Sequence, residues 1–148
     1  MTSGTTSAEV RRRLAAAPER VFAAFADAAL VARWLTPSPD IRLTVLQFDF
    51  REGGSYRFAY TLPDGVVMRV GGTYRTIARP SHIVFSWVIE LPDEHAGIES
   101  EVAVAIEPDG AGAQLVIRHS RWGRGDAVER HAEGWRGALD QLATVLAG

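Results

Sequence analysis

The apolar residues of this 148-residue chain change their spacing twice, and those two changes constrain its fold more than any motif does. Up to Trp34 they recur at helical intervals after one short strand. From Ile41 to Ser120 they alternate with the period of two that marks half-buried strands. After Asp126 the helical period returns and holds to Leu146.

Glu9 to Ala15 reads as a short strand with Val10 and Leu14 on one face and Arg12 between them. Ala17-Pro18-Glu19 opens a short helix carrying Val21, Phe22 and Phe25, because proline is tolerated in the first helical turn and an acid there suits the helix dipole. Asp27 caps a second short helix with Leu30, Val31 and Trp34, which Pro37 and Pro39 end. Six strands follow. Ile41 to Asp49 leads through the Arg51-Glu52-Gly53-Gly54 turn to Ser55–Thr61, where Tyr56, Phe58 and Tyr60 share a face. The Pro63-Asp64-Gly65 turn leads to Val66–Ile77, where Met68, Val70 and Tyr74 share a face and Gly71-Gly72 signals a bulge or sharp bend. Ile83–Glu90 aligns Phe85, Trp87 and Ile89, and Pro92 to Gly97 is a loop. Ser100–Glu107 aligns Val102, Val104 and Ile106, and Gln114–Ser120 aligns Leu115, Ile117 and His119.

The last element has a capping box in Asp126 and Glu129, then Val128, Ala132, Trp135, Leu139, Leu142 and Leu146 on one stripe. Gly134 and Gly137 each cost such a helix about 1 kcal/mol against alanine, which points to a close approach by another backbone. A helix of roughly 20 residues spans about 30 Å and a strand of roughly 8 spans about 26 Å, so the helix can lie across one face of the sheet. The expectation is an α+β domain over residues 8–148 behind a disordered tail, 1–7, with no repeats or linkers.

Composition removes several function classes. At 47% hydrophobic and 23% charged the chain is ordinary globular material, neither disordered nor fibrous. A net charge of −2 gives no general attraction to nucleic acid or an anionic membrane. There is no cysteine, and all 16 basic residues are arginine, so thiolate and lysine chemistry are both excluded. His82, His95, His119 and His131 lack zinc-site spacing, and no phosphate-loop, dinucleotide or G-x-S-x-G fingerprint occurs, so neither metal nor cofactor is expected. The longest apolar run, Val21 to Ala26, is far too short to insert in a membrane, and the first residues lack the pattern of a signal peptide. A cytoplasmic location is expected.

Five segments in order carry a family resemblance. They are Pro18-Glu19-Arg20-Val21-Phe22 with Trp34, Asp49-Phe50-Arg51-Glu52-Gly53-Gly54, Gly72-Thr73-Tyr74, Ile83-Val84-Phe85-Ser86-Trp87, and Gly134-Trp135 with Leu139 and Leu142. Together they resemble the START-like, or SRPBCC, superfamily, and within it the bacterial branch named after the activator of the 90-kDa heat-shock protein ATPase. The likeness runs from Val10 to Leu146. It departs at Phe22, where the family often has Trp. The eukaryotic activator has an additional N-terminal domain, whereas seven polar residues precede the first strand here. The resemblance implies a helix-grip fold: a curved antiparallel sheet of about seven strands around the C-terminal helix, with an apolar cavity between them and no universal catalytic residues.

The residues expected to line such a cavity are the inward-facing ones. They are Trp34 on the second helix, Tyr56, Phe58, Tyr60, Met68, Val70, Tyr74, Phe85, Trp87, Val102, Val104, Ile117 and His119 on the strands, and Trp135 and Leu139 on the last helix. The competing reading of the same residues is a solid core. His119 is either a core histidine bonded to a neighbour or a ligand contact. Arg12, if it points inward, needs an acceptor, either a protein carboxylate or an anionic ligand; otherwise it reaches solvent from an edge strand. Three functions follow: binding of a small hydrophobic or amphipathic molecule, a co-chaperone-like protein-interaction module, or an enzyme using Tyr or His119 on a bound ring compound. The first is the leading expectation. The sequence leaves a homodimer and a chaperone partner open.

Overall fold

Side-chain chemistry sets the ends of the early elements. The computed structural model describes residues 7–90, 99–120 and 125–147, with side chains from 131 onward in the last stretch. The first strand, β1 (Ala8–Leu14), leads to α1 (Pro18–Ala26), with Pro18 in the first turn, where a missing N–H leaves no acceptor wanting. Asp27 caps α2 (Ala28–Trp34) by accepting from the amides of Ala29 at 2.8 Å and Leu30 at 3.3 Å. The indole of Trp34 donates to the Ala24 carbonyl at 2.9 Å and packs edge-on to Phe25, with ring centres 4.8 Å apart, which ties α2 to α1.

Six strands and one helix follow: β2 (Arg42–Phe48), β3 (Ser55–Thr61), β4 (Val67–Ala78), β5 (His82–Ile89), β6 (Glu99–Asp109), β7 (Gly112–Ser120) and α3 (Gly125–Ala147). They build one antiparallel seven-stranded sheet in the order β1-β7-β6-β5-β4-β3-β2, the α+β helix-grip arrangement expected. Every strand from β3 onward pairs with its predecessor, while β1 crosses over to flank β7. The residues 1–6, the Pro92–Gly97 loop and the Asp126–Glu129 capping box lie outside the described residues and side chains.

Register decides which side chains share the inner face. Tyr56 stands opposite Gly72, Tyr74 opposite Phe85, Phe85 opposite Val102, and Val102 opposite His119. The Gly71-Gly72 pair is not itself the bulge; the register shift lies further along, between Tyr74 and Thr76. Gly72 has a different reason. A Cβ there would stand 2.0 Å from the Ser86 carbonyl oxygen, and the hydroxyl of Tyr56 donates to that same oxygen at 2.6 Å.

Helix α3 lies against β1, β7 and α2, with Ala132, Trp135, Leu139, Leu142 and Leu146 buried beneath it. Gly137 is the point of closest approach, since a Cβ there would stand 2.0 Å from the carbonyl oxygen of Pro37. The guanidinium of Arg20 donates to the Leu146 carbonyl at 2.8 Å and so closes the far end of the helix. The arginine run of β1 divides by face. Arg11 and Arg13 point outward to Glu9 and Asp109. Arg12 follows Val10 and Leu14 to the inner face, but on an edge strand, where its 38%-exposed side chain pairs with Asp140 of α3.

Gly137→Ala tests the contact with Pro37. Alanine adds about 1 kcal/mol of helix propensity, yet overpacking against backbone costs about 1–3 kcal/mol, more where neither side can yield. Urea melts should show the variant less stable than the wild type. A more stable variant would mean that α3 does not rest on Pro37.

Candidate functional site

Between α3, the inner faces of β3–β5 and the chain segment after α2 lies a pocket of about 430 Å³. Leu35, Thr36, Pro37 and Ile41 form one side; Tyr60, Leu62, Met68, Val70, Trp87 and Ile89 form the sheet side; His131, Glu133, Gly134, Trp135 and Ala138 form the helix side. The segment after α2 has no regular structure, and its carbonyls find partners in side chains. Tyr60 donates its hydroxyl to the Leu35 carbonyl at 3.0 Å, Gln141 its amide to the Thr36 carbonyl, and Thr36 its hydroxyl to the Ile41 carbonyl at 2.8 Å. Small residues at 134 and 138, on either side of Trp135, leave room beneath the helix.

A buried polar chain fixes the two indoles of the pocket wall. The Trp135 N–H donates to His119 Nδ1 at 3.0 Å, and an indole can only donate. His119 is therefore protonated on Nε2, which donates to the hydroxyl of Ser100 at 2.8 Å; that hydroxyl donates in turn to the Trp87 carbonyl at 3.0 Å. Burial, with a smaller push from nearby His131, holds the His119 imidazole well below its ordinary pKa, so the neutral tautomer persists.

Of the residues expected to line a cavity, Tyr60, Met68, Val70, Trp87 and Trp135 border this pocket. Tyr56, Phe58, Tyr74 and Phe85 do not. They meet Phe25, Val31 and Phe50 around a void of only about 10 Å³, no more than about one water's worth of space. Val102, Val104, Ile117 and Leu139 are core residues exposed by 1% or less, and Trp34 serves the α1–α2 joint. His119 sits behind the indoles rather than on the pocket surface, and Arg12 is spent on Asp140. Sequence reasoning missed Ser100, a polar residue at an inward position of β6, and the whole segment from Leu35 to Ile41. Only the inward position of Ser100 beside Val102 and Val104 could have signalled the first; no periodicity marks the second.

The profile of the family described as "Activator of Hsp90 ATPase homolog 1-like protein", AHSA1, matches residues 15–147. The chain belongs to the AHSA1 family. A solved protein from Chromobacterium violaceum is similar to it at 27% identity with a TM-score of 0.88, over 97% of this chain and 98% of that one. The AHSA1 protein from Silicibacter pomeroyi is similar at 29% identity and a TM-score of 0.83, over 95% and 97% of the two chains. A protein from Arthrobacter aurescens gives 25% identity and a TM-score of 0.84, over 97% and 87%. No curated protein matches.

The titratable groups on the inner face of the sheet are held neutral. The buried hydroxyls of Tyr56, Tyr60 and Tyr74 are pushed well above the ordinary tyrosine range by loss of solvent, so they remain neutral donors. Among the described residues no three His, Asp or Glu side chains come together as metal ligands, and no helix is long and apolar enough to cross a membrane.

His119 gives the domain a pH dependence. Its folded pKa lies below its unfolded value, about 6.5, so the unfolded chain binds the proton first. The contribution is fully present above about pH 6.5 and is lost as the pH falls below it, at up to about 1.4 kcal/mol per pH unit. His119→Gln can still accept from Trp135 and donate to Ser100, but cannot titrate. Urea melts between pH 8 and 5 should show acid destabilisation in the wild type that is smaller in the variant; equal slopes would mean that His119 does not remain neutral.

Proposed function

We propose that this AHSA1 domain binds a small hydrophobic or amphipathic molecule in the pocket under α3. The observation that carries this reading is the pocket itself. Its volume of about 430 Å³ falls within the range of roughly 300–1,000 Å³ typical of ligand sites, and its walls are mostly aliphatic and aromatic with few polar groups. At about 24 cal/mol per Å³, an unfilled void of that size in a solid core would cost about 10 kcal/mol, comparable to the whole stability of a domain. The polar contacts that hold the surrounding segment open also argue for a built site. The catalytic alternative finds less support, because both ring nitrogens of His119 are engaged and the tyrosines are poor acids. A protein-docking role would call for an exposed apolar patch, and among the described residues Leu46 and Val66 are the large apolar side chains that stand exposed.

Gly134→Leu separates ligand binding from stability. A Cβ at Gly134 meets only the Pro37 Cβ, at 3.6 Å, an ordinary contact, and the rest of the side chain extends into the pocket wall. Replacing glycine adds about 1 kcal/mol of helix propensity. Titration with the uncharged fluorescent probe N-phenyl-1-naphthylamine should show saturable binding to the wild type and at least about tenfold weaker binding to the variant, a loss of about 1.4 kcal/mol. A stable variant that binds the probe as the wild type does would place the probe elsewhere.

A further inference from the structure

Sulfur chemistry in this chain is confined to two methionines, since there is no cysteine. Met1 begins the chain, whereas Met68 lies on β4 and borders the pocket under α3. Alternation puts Met68 on the inner face with Val70, and the ladder sets it opposite Tyr60; both of those residues line the same wall. Trp87 and Trp135 are exposed by only 7% and 5%, but Met68 is half-buried, as are Leu62 and Ile41, which line the pocket with it. The thioether is therefore the reachable oxidisable group of the sheet side.

A reduced methionine packs as an adaptable apolar chain. A hydroperoxide reacts with a thioether far more readily than with an indole, an imidazole or a phenol. The sulfur lone pair attacks one peroxide oxygen, an S–O bond forms as the O–O bond breaks, and the sulfur gives up two electrons. Hydrogen peroxide leaves as water, and the product is methionine sulfoxide, polar where the side chain was apolar. The hydroxyl donors of the described wall are already committed, Tyr60 to the Leu35 carbonyl at 3.0 Å and Thr36 to that of Ile41 at 2.8 Å. His131 and Trp135 belong to the helix side, across the space a ligand would occupy, and the Trp135 N–H is given to His119. A sulfoxide oxygen directed at His131 takes ligand volume. One left among Tyr60, Leu62 and Val70 is an unpaired polar atom on apolar surface, and one turned to solvent takes the side chain off the wall. Each orientation lowers the affinity for an apolar guest.

Resting on the binding function proposed above, we infer that Met68 is a modification site: oxidation by a hydroperoxide shuts the pocket to apolar ligands, and enzymatic reduction of the sulfoxide reopens it. A ligand lying against Met68 also shields the sulfur, so an occupied pocket resists oxidation and an empty one does not.

Dilute hydrogen peroxide, followed by mass spectrometry of the Phe58–Arg69 fragment that cleavage after arginine releases, reads oxygen uptake at Met68 alone. The oxidised wild type should bind N-phenyl-1-naphthylamine about tenfold more weakly than the untreated protein, and methionine sulfoxide reductases, one for each epimer, should restore the affinity. Met68→Leu keeps the volume and cannot be oxidised, so peroxide should leave its probe binding unchanged. Met68→Gln, polar without oxidation, should bind as weakly as the oxidised wild type. Saturating probe should slow oxygen uptake at Met68 severalfold. The inference is overturned by a Met68 that stays reduced while free methionine in the same solution is oxidised, by an oxidised protein that binds the probe as before, or by equal loss of binding in Met68→Leu after peroxide. Loss of near-ultraviolet circular dichroism on oxidation would make the effect one of folding and overturn it as well. An untreated wild type that does not bind the probe is a different result, and removes the pocket reading together with this one.

Discussion

The hydrogen bond from Trp135 to His119 joins α3 to the sheet by a directed contact, and the pocket depends on it. Hydrophobic burial alone would hold the helix down, but it has no direction and would let α3 sink until the space beneath it closed. A donor on the helix facing an acceptor on β7 fixes both the depth and the rotation of the helix. The acceptor is itself fixed, since His119 must give its other proton to Ser100, and Ser100 in turn satisfies the carbonyl of Trp87. One indole of the pocket wall is thereby positioned relative to the other through a chain in which every partner is buried. Such a chain is strong while complete and expensive when broken, which is why neutral His119 matters more than its distance from the pocket surface suggests.

The second constraint is the segment from Leu35 to Ile41. It closes the pocket from the side with no ladder of its own, and is held by Tyr60, Gln141 and its own Thr36. Gly137 brings α3 onto Pro37 so closely that a methyl group would not fit. The inner face of the sheet is consequently split. Under α1 and α2 the aromatic residues Tyr56, Phe58, Tyr74 and Phe85 meet Phe25 and Phe50 and fill the space. Under α3 the helix presents Gly134 and Ala138 beside Trp135, and the space stays open.

Much of this architecture was legible in the sequence. The change of period at Ile41 and its return after Asp126 foretold the order of elements, and Pro18 and Asp27 marked the helix starts because their chemistry is local. The five expected lining residues found at the pocket lie on β3, β4, β5 and α3, where alternation or helical period fixes the inner face. Alternation names a face but not what stands opposite it, so Tyr56 and Tyr60, on the same face of one strand, could not be told apart as core and wall. What covers each is set by helices distant in sequence. Arg12 illustrates the same limit: its inward face was readable, but Asp140 as its partner depended on how α3 crosses the edge strand.

The central claim is that the space beneath α3 admits an apolar guest against the two indoles. Crystals soaked with 1-bromonaphthalene test it most directly, because anomalous scattering locates bromine independently of any model of the pocket. The predicted result is a bromine peak enclosed by Met68, Trp87, Trp135 and Ala138, with α3 in place. A pocket filled by its own side chains, with bromine absent or bound only on the surface, would contradict it.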